Sequence, residues 1–122
     1  MHLLTIRSRQ DFLRTQKNAA KTIHTKNIII LKKKSPEKYL EVTNEKRAEE
    51  FIRLGLVVSK KIDKKAVTRN KVKRRFREAF KKIFKSNPEL FQNHNDYILI
   101  ARKSVLEAEF KDIVENIEKG IK

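Results

Sequence analysis

The sequence contains no cysteine, only two glycines and two prolines, and no apolar run near the roughly 20 residues that cross a bilayer. Without cysteine, the chain has no disulfides, no thiolate zinc sites and no cysteine nucleophile, as expected in a reducing compartment. Gly55 and Gly120 are too few and too far apart for a glycine-rich phosphate loop. We therefore expect a cytoplasmic protein that neither spans nor binds a membrane.

The sequence also shows no set of residues arranged to catalyse a reaction or to hold a metal. The three histidines share no metal-ligand spacing. The acidic residues of Glu49–Glu50 and Glu107–Glu109 stand in lysine-rich or helix-capping contexts, without a second set of ligands. The sequence therefore predicts no catalytic residue, no protein-held metal and no small-molecule substrate.

Positive charge is what the chain has in excess. It carries 31 lysines and arginines against 15 acidic residues, a net charge of +16 over 122 residues. With 39% hydrophobic residues it can still form one core, and residues 1–122 fit a single domain. A charge of this size indicates a polyanionic partner, for which nucleic acid is the leading candidate and an anionic membrane surface the weaker one.

The densest positive charge lies in residues 69–78, which carry two stripes at helical spacing. The apolar stripe comprises Val72, Phe76, Ala79, Phe80 and Ile83, and the nearly opposite polar stripe comprises Asn70, Arg74, Arg77 and Lys81. Cations in the first turn oppose the helix macrodipole, yet a helix start with arginines suits phosphate. The pattern predicts a helix that docks on a core and presents cations to RNA or DNA; the alternative is a solvated face.

Three β-branched or apolar runs predict strands, at Asn27–Leu31, Arg53–Ser59 and Asp96–Arg102. The basic helix is predicted over Thr68–Ser86, with Thr68 as its N-cap and Asn87–Pro88 as its stop. Strand, helix and strand in this order form a βαβ unit. The predicted fold is a small α+β sandwich, a mixed β-sheet with helices packed on it.

Two further helices are predicted at the ends of the chain. A short one follows Ser8 and ends near residues 17–19, and the last one opens with a capping box at Ser104–Glu107 and closes at Gly120. The buried stripe of the last helix is predicted to comprise Leu106, Phe110, Ile113, Val114 and Ile117. The charged segment of residues 37–50 is either a hairpin extension or a mobile loop.

Four blocks of the chain, in order and at matching spacing, resemble the protein subunit of bacterial ribonuclease P. That family reads Asp-Phe in a first helix, then Arg-x-Gly-x-x-x-Ser-Lys-Lys, then Ala-Val-x-Arg-Asn-Arg-x-Lys-Arg-x-x-Arg-Glu, then Asp-Tyr and an apolar run ending Ile-Ala-Arg. Here the blocks are Asp11–Phe12, Arg53–Lys61, Ala66–Glu78 and Asp96–Arg102. Lys71 stands where the family has the second arginine of its Arg-Asn-Arg motif, and lysine lacks the planar guanidinium that binds phosphate through two hydrogen bonds.

The resemblance implies a βαβ crossover of the left-handed kind, against the usual rule of right-handed connections. It also implies a function: the non-catalytic protein subunit of an RNA-based endonuclease that removes the 5′ leader from precursor tRNA. In that family the catalyst is the RNA subunit, which binds most of the Mg²⁺. The partners implied are therefore the catalytic RNA and precursor tRNA.

Site residues are implied by position within the matching blocks. The residues expected to bind the RNA subunit are Arg69, Asn70, Lys71, Lys73, Arg74 and Arg77. The residues expected to line the cleft for the leader are Phe12, Ser59, Lys61 and Arg102. Gln16 and Ile30 stand where the family has aromatic residues, so we expect weaker stacking on a nucleotide at these two positions.

Two other functions fit a basic βαβ protein. A structural rRNA-binding protein with a related core would bind RNA without processing tRNA. A helix-based DNA-binding protein is disfavoured, because the basic helix is a crossover between strands and does not follow a helix and a tight turn.

Overall fold

The structure, a computed structural model of the chain, describes residues 2–6, 10, 13, 14, 17, 19, 21–36 and 50–122. Its strands are β1 (His2–Thr5), β2 (Lys21–His24), β3 (Ile28–Lys34), β4 (Phe51–Val57) and β5 (Asn95–Ala101). Its long helices are α1 (Ala66–Ser86) and α2 (Phe110–Ile121), and short 3-10 helices occupy Pro88–Leu90 and Lys103–Glu107.

The five strands form one open, mixed sheet in the order β1-β4-β5-β3-β2. Strands β1, β4 and β5 run parallel, whereas β3 pairs antiparallel with both β5 and β2. The connection from β4 through α1 to β5 is the predicted βαβ unit, and the α+β class is confirmed. The edge strands β1 and β2 were not predicted, because four residues each give too short an alternation to recognise.

Both long helices pack on the same face of the sheet, called here the helix-covered face. The side chains of α1 buried there are Val72, Phe76, Ala79, Phe80 and Ile83, as the apolar stripe predicts. They meet inward-facing residues of β3, β4 and β5, among them Ile30, Leu54 and Leu99. Phe84 also packs on this core and is partly buried. This packing fixes the orientation of α1 and leaves its other side outward.

The second face of the sheet carries a smaller apolar cluster of Ile6, Leu31 and Ile98. Beside it lies a buried ion pair: the Arg53 Nε atom donates to Asp96 Oδ1 over 2.7 Å, and the Ser35 hydroxyl donates to the same oxygen over 2.7 Å. Arg53 and Asp96 face each other in the β4–β5 register. The ion pair therefore joins the ends of β3, β4 and β5 without an unpaired charge in the core.

Helix α1 begins earlier than predicted, so Thr68 as the N-cap is wrong. The cap position is Lys65, and the first helical hydrogen bond runs from Arg69 N–H to the Lys65 carbonyl. Asp63 causes the early start, since its carboxylate accepts the Lys65 N–H over 2.8 Å. This bond turns the connector into the helix three residues before Thr68.

Helix α2 begins later than predicted, and the capping box at Ser104 is wrong. The hydroxyl of Ser104 donates instead to the Lys26 carbonyl over 2.8 Å, and its segment is a 3-10 helix. A true capping box forms between Glu109 and Asp112. Leu106 therefore lies outside α2 and is 37% exposed, whereas the other predicted stripe residues, Phe110, Ile113, Val114 and Ile117, are buried or partly buried.

Gly120 lies inside α2 rather than closing it, so its prediction as a C-terminal cap is wrong. No glycine of the described chain has a positive φ. A β-carbon at position 120 would overlap the Cδ1 atom of Ile30, so glycine permits close approach of α2 to the sheet. Ile30 is thus under α2, 1% exposed, and cannot face a nucleotide, which corrects its expected place in a stacking position.

Three predicted features lie wholly or partly outside the described residues. They are Phe12 with Gln16, the residues that open the first helix, and residues 37–49. Of the first helix, Gln10, Leu13, Arg14 and Lys17 are described and helical.

Candidate nucleic-acid interface

The outward side of α1 presents a row of polar and cationic side chains, called here the outer row: Asn70, Arg74, Arg77 and Lys81. All four are exposed, as the helical spacing predicts. Lys71 is also exposed and Lys73 is half-buried. No lysine or arginine of α1 forms an ion pair with any residue in the described part of the chain. The row is therefore a positive surface that no carboxylate of the described residues neutralises through an ion pair.

Two arginines of α1 are used within the protein. The Arg69 guanidinium donates from Nη1 to the carbonyls of Asp63 and Lys64, over 3.0 and 2.7 Å. Arg75 donates to the Ala108 carbonyl over 3.0 Å, across the contact between α1 and α2. Arg69 thus orders the connector before the helix while remaining half-exposed, and Arg75 serves helix packing.

The start of α1 lacks the groups that usually neutralise a helix N-terminus. It has no side-chain cap and no acidic residue in its first turn. Its first amide groups therefore have no carboxylate partner from within the helix, and they point along the axis together with the positive end of the macrodipole. This is the geometry that favours phosphate oxygens.

Ser59, Lys61 and Arg102, called here the strand-end cluster, follow the carboxyl ends of β4 and β5. Val57 faces Ile100 in the parallel ladder, so the two exits lie side by side. All three residues are exposed. The Arg102 guanidinium donates to the Thr25 carbonyl over 3.2 Å, which holds it against the β2–β3 turn. The structure thus brings the described members of the expected leader cleft to one end of the sheet.

Lys26 belongs to this end of the sheet and was missed in the sequence. It is exposed in the β2–β3 turn, where the Arg102 N–H donates to the Asn27 carbonyl over 2.9 Å. The antiparallel pairing of β3 with β5 places this turn beside Arg102, and no local sequence pattern shows that pairing. Recognising β2 was also necessary to place Lys26 there.

A second pair of cations lies on the far edge of the sheet. Lys21 and Lys32 face each other across β2 and β3. Partial burial lowers the pKa of the Lys32 ammonium group, and the charge of Lys21 lowers it further. The Lys32 ammonium donates to the Gln92 side-chain oxygen. Like charges opposite each other weaken strand pairing, so this pair does not serve the stability of the sheet.

No group of three or more metal-ligating side chains occurs among the described residues. Within the same part of the chain, no helix is long and apolar enough to span a bilayer.

The mixed sheet, the βαβ crossover and the cationic outer row define a small, strongly basic α+β protein with exposed cations along one helix and at one end of the sheet. The model of the Ribonuclease P family matches residues 2–122, nearly the whole chain. The chain belongs to the ribonuclease P protein family, and so has a role in ribonuclease P and in tRNA processing.

Individual relatives agree with the family match. The ribonuclease P protein component of Clostridioides difficile is 35% identical over 92% of this chain and 94% of its own length. That of Macrococcus caseolyticus is 33% identical over 96% and 86%. The Staphylococcus aureus RNase P protein structure superimposes with a TM-score of 0.70, at 27% identity, covering 96% of this chain and 91% of its own. The Thermotoga maritima structure gives 0.68, at 28% identity, covering 94% and 92%.

Proposed function

We propose that this chain is the RNA-binding subunit of a ribonuclease P in which RNA performs the catalysis. The observation that carries the proposal is the outer row of α1, an exposed positive surface fixed in place by a fully buried apolar side. Its cations have no ion-pair partner in the part of the chain that the structure describes. The residues proposed to contact the catalytic RNA are Arg69, Asn70, Lys71, Lys73, Arg74 and Arg77. These residues are proposed to bind chiefly phosphates, so their contribution to RNA affinity is electrostatic and sensitive to salt.

The strand-end cluster is proposed to bind the 5′ leader of precursor tRNA, together with Phe12. Its support is geometric: Ser59, Lys61 and Arg102 lie at adjacent strand ends, next to the connector that enters α1. A single strand can use an exposed cation for its phosphate and a hydroxyl for its sugar or base. The leader would then lie close to the RNA-bound helix, near the cleavage position.

Catalytic Mg²⁺ is proposed to be bound by the RNA. The protein acts by placing cations between two polyanions, which lowers the repulsion between the catalytic RNA and its substrate. Less free Mg²⁺ is then needed for the same degree of assembly. In the proposed reaction, the protein itself neither transfers a proton nor binds a catalytic metal ion.

Reconstitution with the cognate catalytic RNA tests the proposal. At low Mg²⁺ concentration, adding the protein should increase the cleavage rate of precursor tRNA at its mature 5′ end. An equally basic unrelated protein at the same concentration controls for non-specific charge effects. Binding without any increase in cleavage would favour the structural rRNA-binding function instead.

Leader binding is tested separately with substrates that have or lack a leader. Lys61→Ala should weaken binding of leadered precursor severalfold and leave mature tRNA unaffected, because Lys61 makes no hydrogen bond or ion pair within the described chain. Phe12→Ala should act in the same direction. Lys119→Ala, which removes an exposed charge on α2, is the matched control. Equal responses to both substrates would remove the leader assignment.

A further inference from the structure

A groove of about 290 Å³ runs between the edge strand β1 and helix α1, called here the β1 groove. Its base is apolar and consists of Leu3, Leu54 and Leu56, which point to the helix-covered face. Its outer wall consists of three cations spaced four residues apart on α1: Lys73, Arg77 and Lys81. None of the described residues that line it is an aspartate or a glutamate.

Strand β1 supplies the other wall and has an unpaired edge within the described chain. The His2 and Ile6 N–H groups donate to the carbonyls of Glu50 and Leu54, so the even-numbered residues of β1 bond to β4. Backbone groups of successive residues point to opposite sides of a strand. The N–H and C=O groups of Leu3 and Thr5 therefore point away from β4, toward the open side of β1.

The cations of the β1 groove are not explained by stability. Like charges four residues apart destabilise a helix by a few tenths of a kcal/mol per pair. Acidic partners from neighbouring elements would offset this cost, yet none of the three cations forms an ion pair with a described residue. The three charges and the absence of carboxylates in the lining favour an anionic occupant.

We infer that the β1 groove binds one unstacked nucleotide of the catalytic RNA. The inference rests on the proposed function and extends it from phosphate contact to recognition of a single-stranded position. The base would lie on the leucine surface or the Arg77 guanidinium plane, with its edge at the β1 backbone and its phosphates at Lys73 and Lys81. The volume is at the lower limit for small-ligand sites, so it admits one nucleotide and excludes a duplex.

The catalytic RNA is favoured over the leader because the groove is continuous with the outer row. Arg77 and Lys81 belong to both, and Lys73 is among the residues proposed to contact that RNA. An acidic peptide adding a strand to β1 is the competing occupant. Because the chain has no cysteine, one introduced cysteine is a unique attachment point for a crosslinker, which can distinguish RNA from an acidic peptide in the groove.

The first test compares Lys81→Gln with Lys82→Gln in the reconstituted holoenzyme. Both remove one exposed charge from the same helix, but Lys82 lies about 100° round the axis and outside the groove. Lys81→Gln should weaken binding of the catalytic RNA roughly threefold to tenfold, and Lys82→Gln by less than about twofold. Leu3→Ser should weaken it as well, whereas Leu106→Ser, at another exposed leucine, should not. Equal effects of the two lysine variants would overturn the inference.

The second test attaches a photo-crosslinker to Thr5→Cys and maps its products. Crosslinks to one or a few consecutive unpaired nucleotides of the catalytic RNA are expected. Crosslinks to precursor tRNA, to helical nucleotides only, to an acidic protein, or none at all would each overturn the inference. Failure of this inference can be distinguished from failure of the proposed function, because the latter would appear as no stimulation of cleavage by the unaltered chain.

Discussion

The two long helices of this small protein follow opposite rules at their N-termini. Helix α2 has the capping box of Glu109 and Asp112, an acid in its first turn and Lys119 in its last. Helix α1 has no side-chain cap, no acid in its first turn, and cations along its outer row. The short helix is thus arranged for its own stability, whereas the long one depends on packing for stability and, under the proposed function, offers its start and outer side to anions.

The largest effect is expected where α1 depends on packing. Phe80→Ala removes a ring with no exposure that contacts Phe91 and Tyr97 at centroid distances of 5.0 and 6.0 Å. The loss should be about 3–5 kcal/mol in the free energy of unfolding, measured by urea denaturation. Leu106→Ala, at a partly exposed leucine, should cost far less. A small effect of Phe80→Ala would show that α1 does not rely on its buried side.

The next effect concerns RNA affinity rather than stability. Replacing both Arg74 and Arg77 with alanine should leave the unfolding free energy nearly unchanged, because both side chains are exposed. The salt dependence of binding to the catalytic RNA should become shallower by up to about two units in log–log slope. Lys111→Ala combined with Lys119→Ala is the matched change on α2. If the α2 variant lost as much slope, the outer row would have no special role.

Breaking the cap of α2 should affect stability alone. Asp112→Ala removes the carboxylate that accepts the Glu109 N–H over 3.1 Å, at a cost of about 1 kcal/mol. Glu115→Ala makes the same change in net charge on an exposed part of the helix and should cost less. RNA affinity should respond alike to both variants. A specific loss of affinity in Asp112→Ala would contradict the division of roles between the helices.

The smallest effect is the most informative, because stability and binding should move in opposite directions. Val67 is 82% exposed in the first turn of α1, where an acid suits the macrodipole. Val67→Glu should raise the unfolding free energy by a few tenths to about 1 kcal/mol and weaken RNA binding. Val67→Gln separates helix propensity from charge. Unchanged RNA affinity in Val67→Glu would show that the start of α1 does not approach phosphate.

The parts of the fold that could be predicted from sequence are those with local signals. The apolar stripe of α1 gives its buried residues, and three apolar runs give β3, β4 and β5. Helix starts were harder, because Thr68 and Ser104 have capping chemistry but their surroundings decide otherwise. Asp63 starts α1 early, and the bond from Ser104 to Lys26 crosses between elements far apart in sequence.

The candidate site divides in the same way. Exposure of Arg74 and Arg77 follows from helical spacing within one element, and the structure shows it. The place of Lys26 beside Arg102 depends on strand order, which no local pattern contains. The Arg53–Asp96 pair was equally non-local, although one charge within each of two apolar strands was a usable sign.

That buried pair has a consequence for the opposite end of its strands. If β4 slipped against β5 by one residue, Arg53 and Asp96 would lie on opposite faces of the sheet. Both charges would then lack a partner, at a cost of several kcal/mol. Only one alignment of the two strands is therefore tolerated. Ser59 and Arg102 each stand six residues beyond the pair in the sequence. The buried ion pair therefore fixes how these two strand-end residues are aligned with each other.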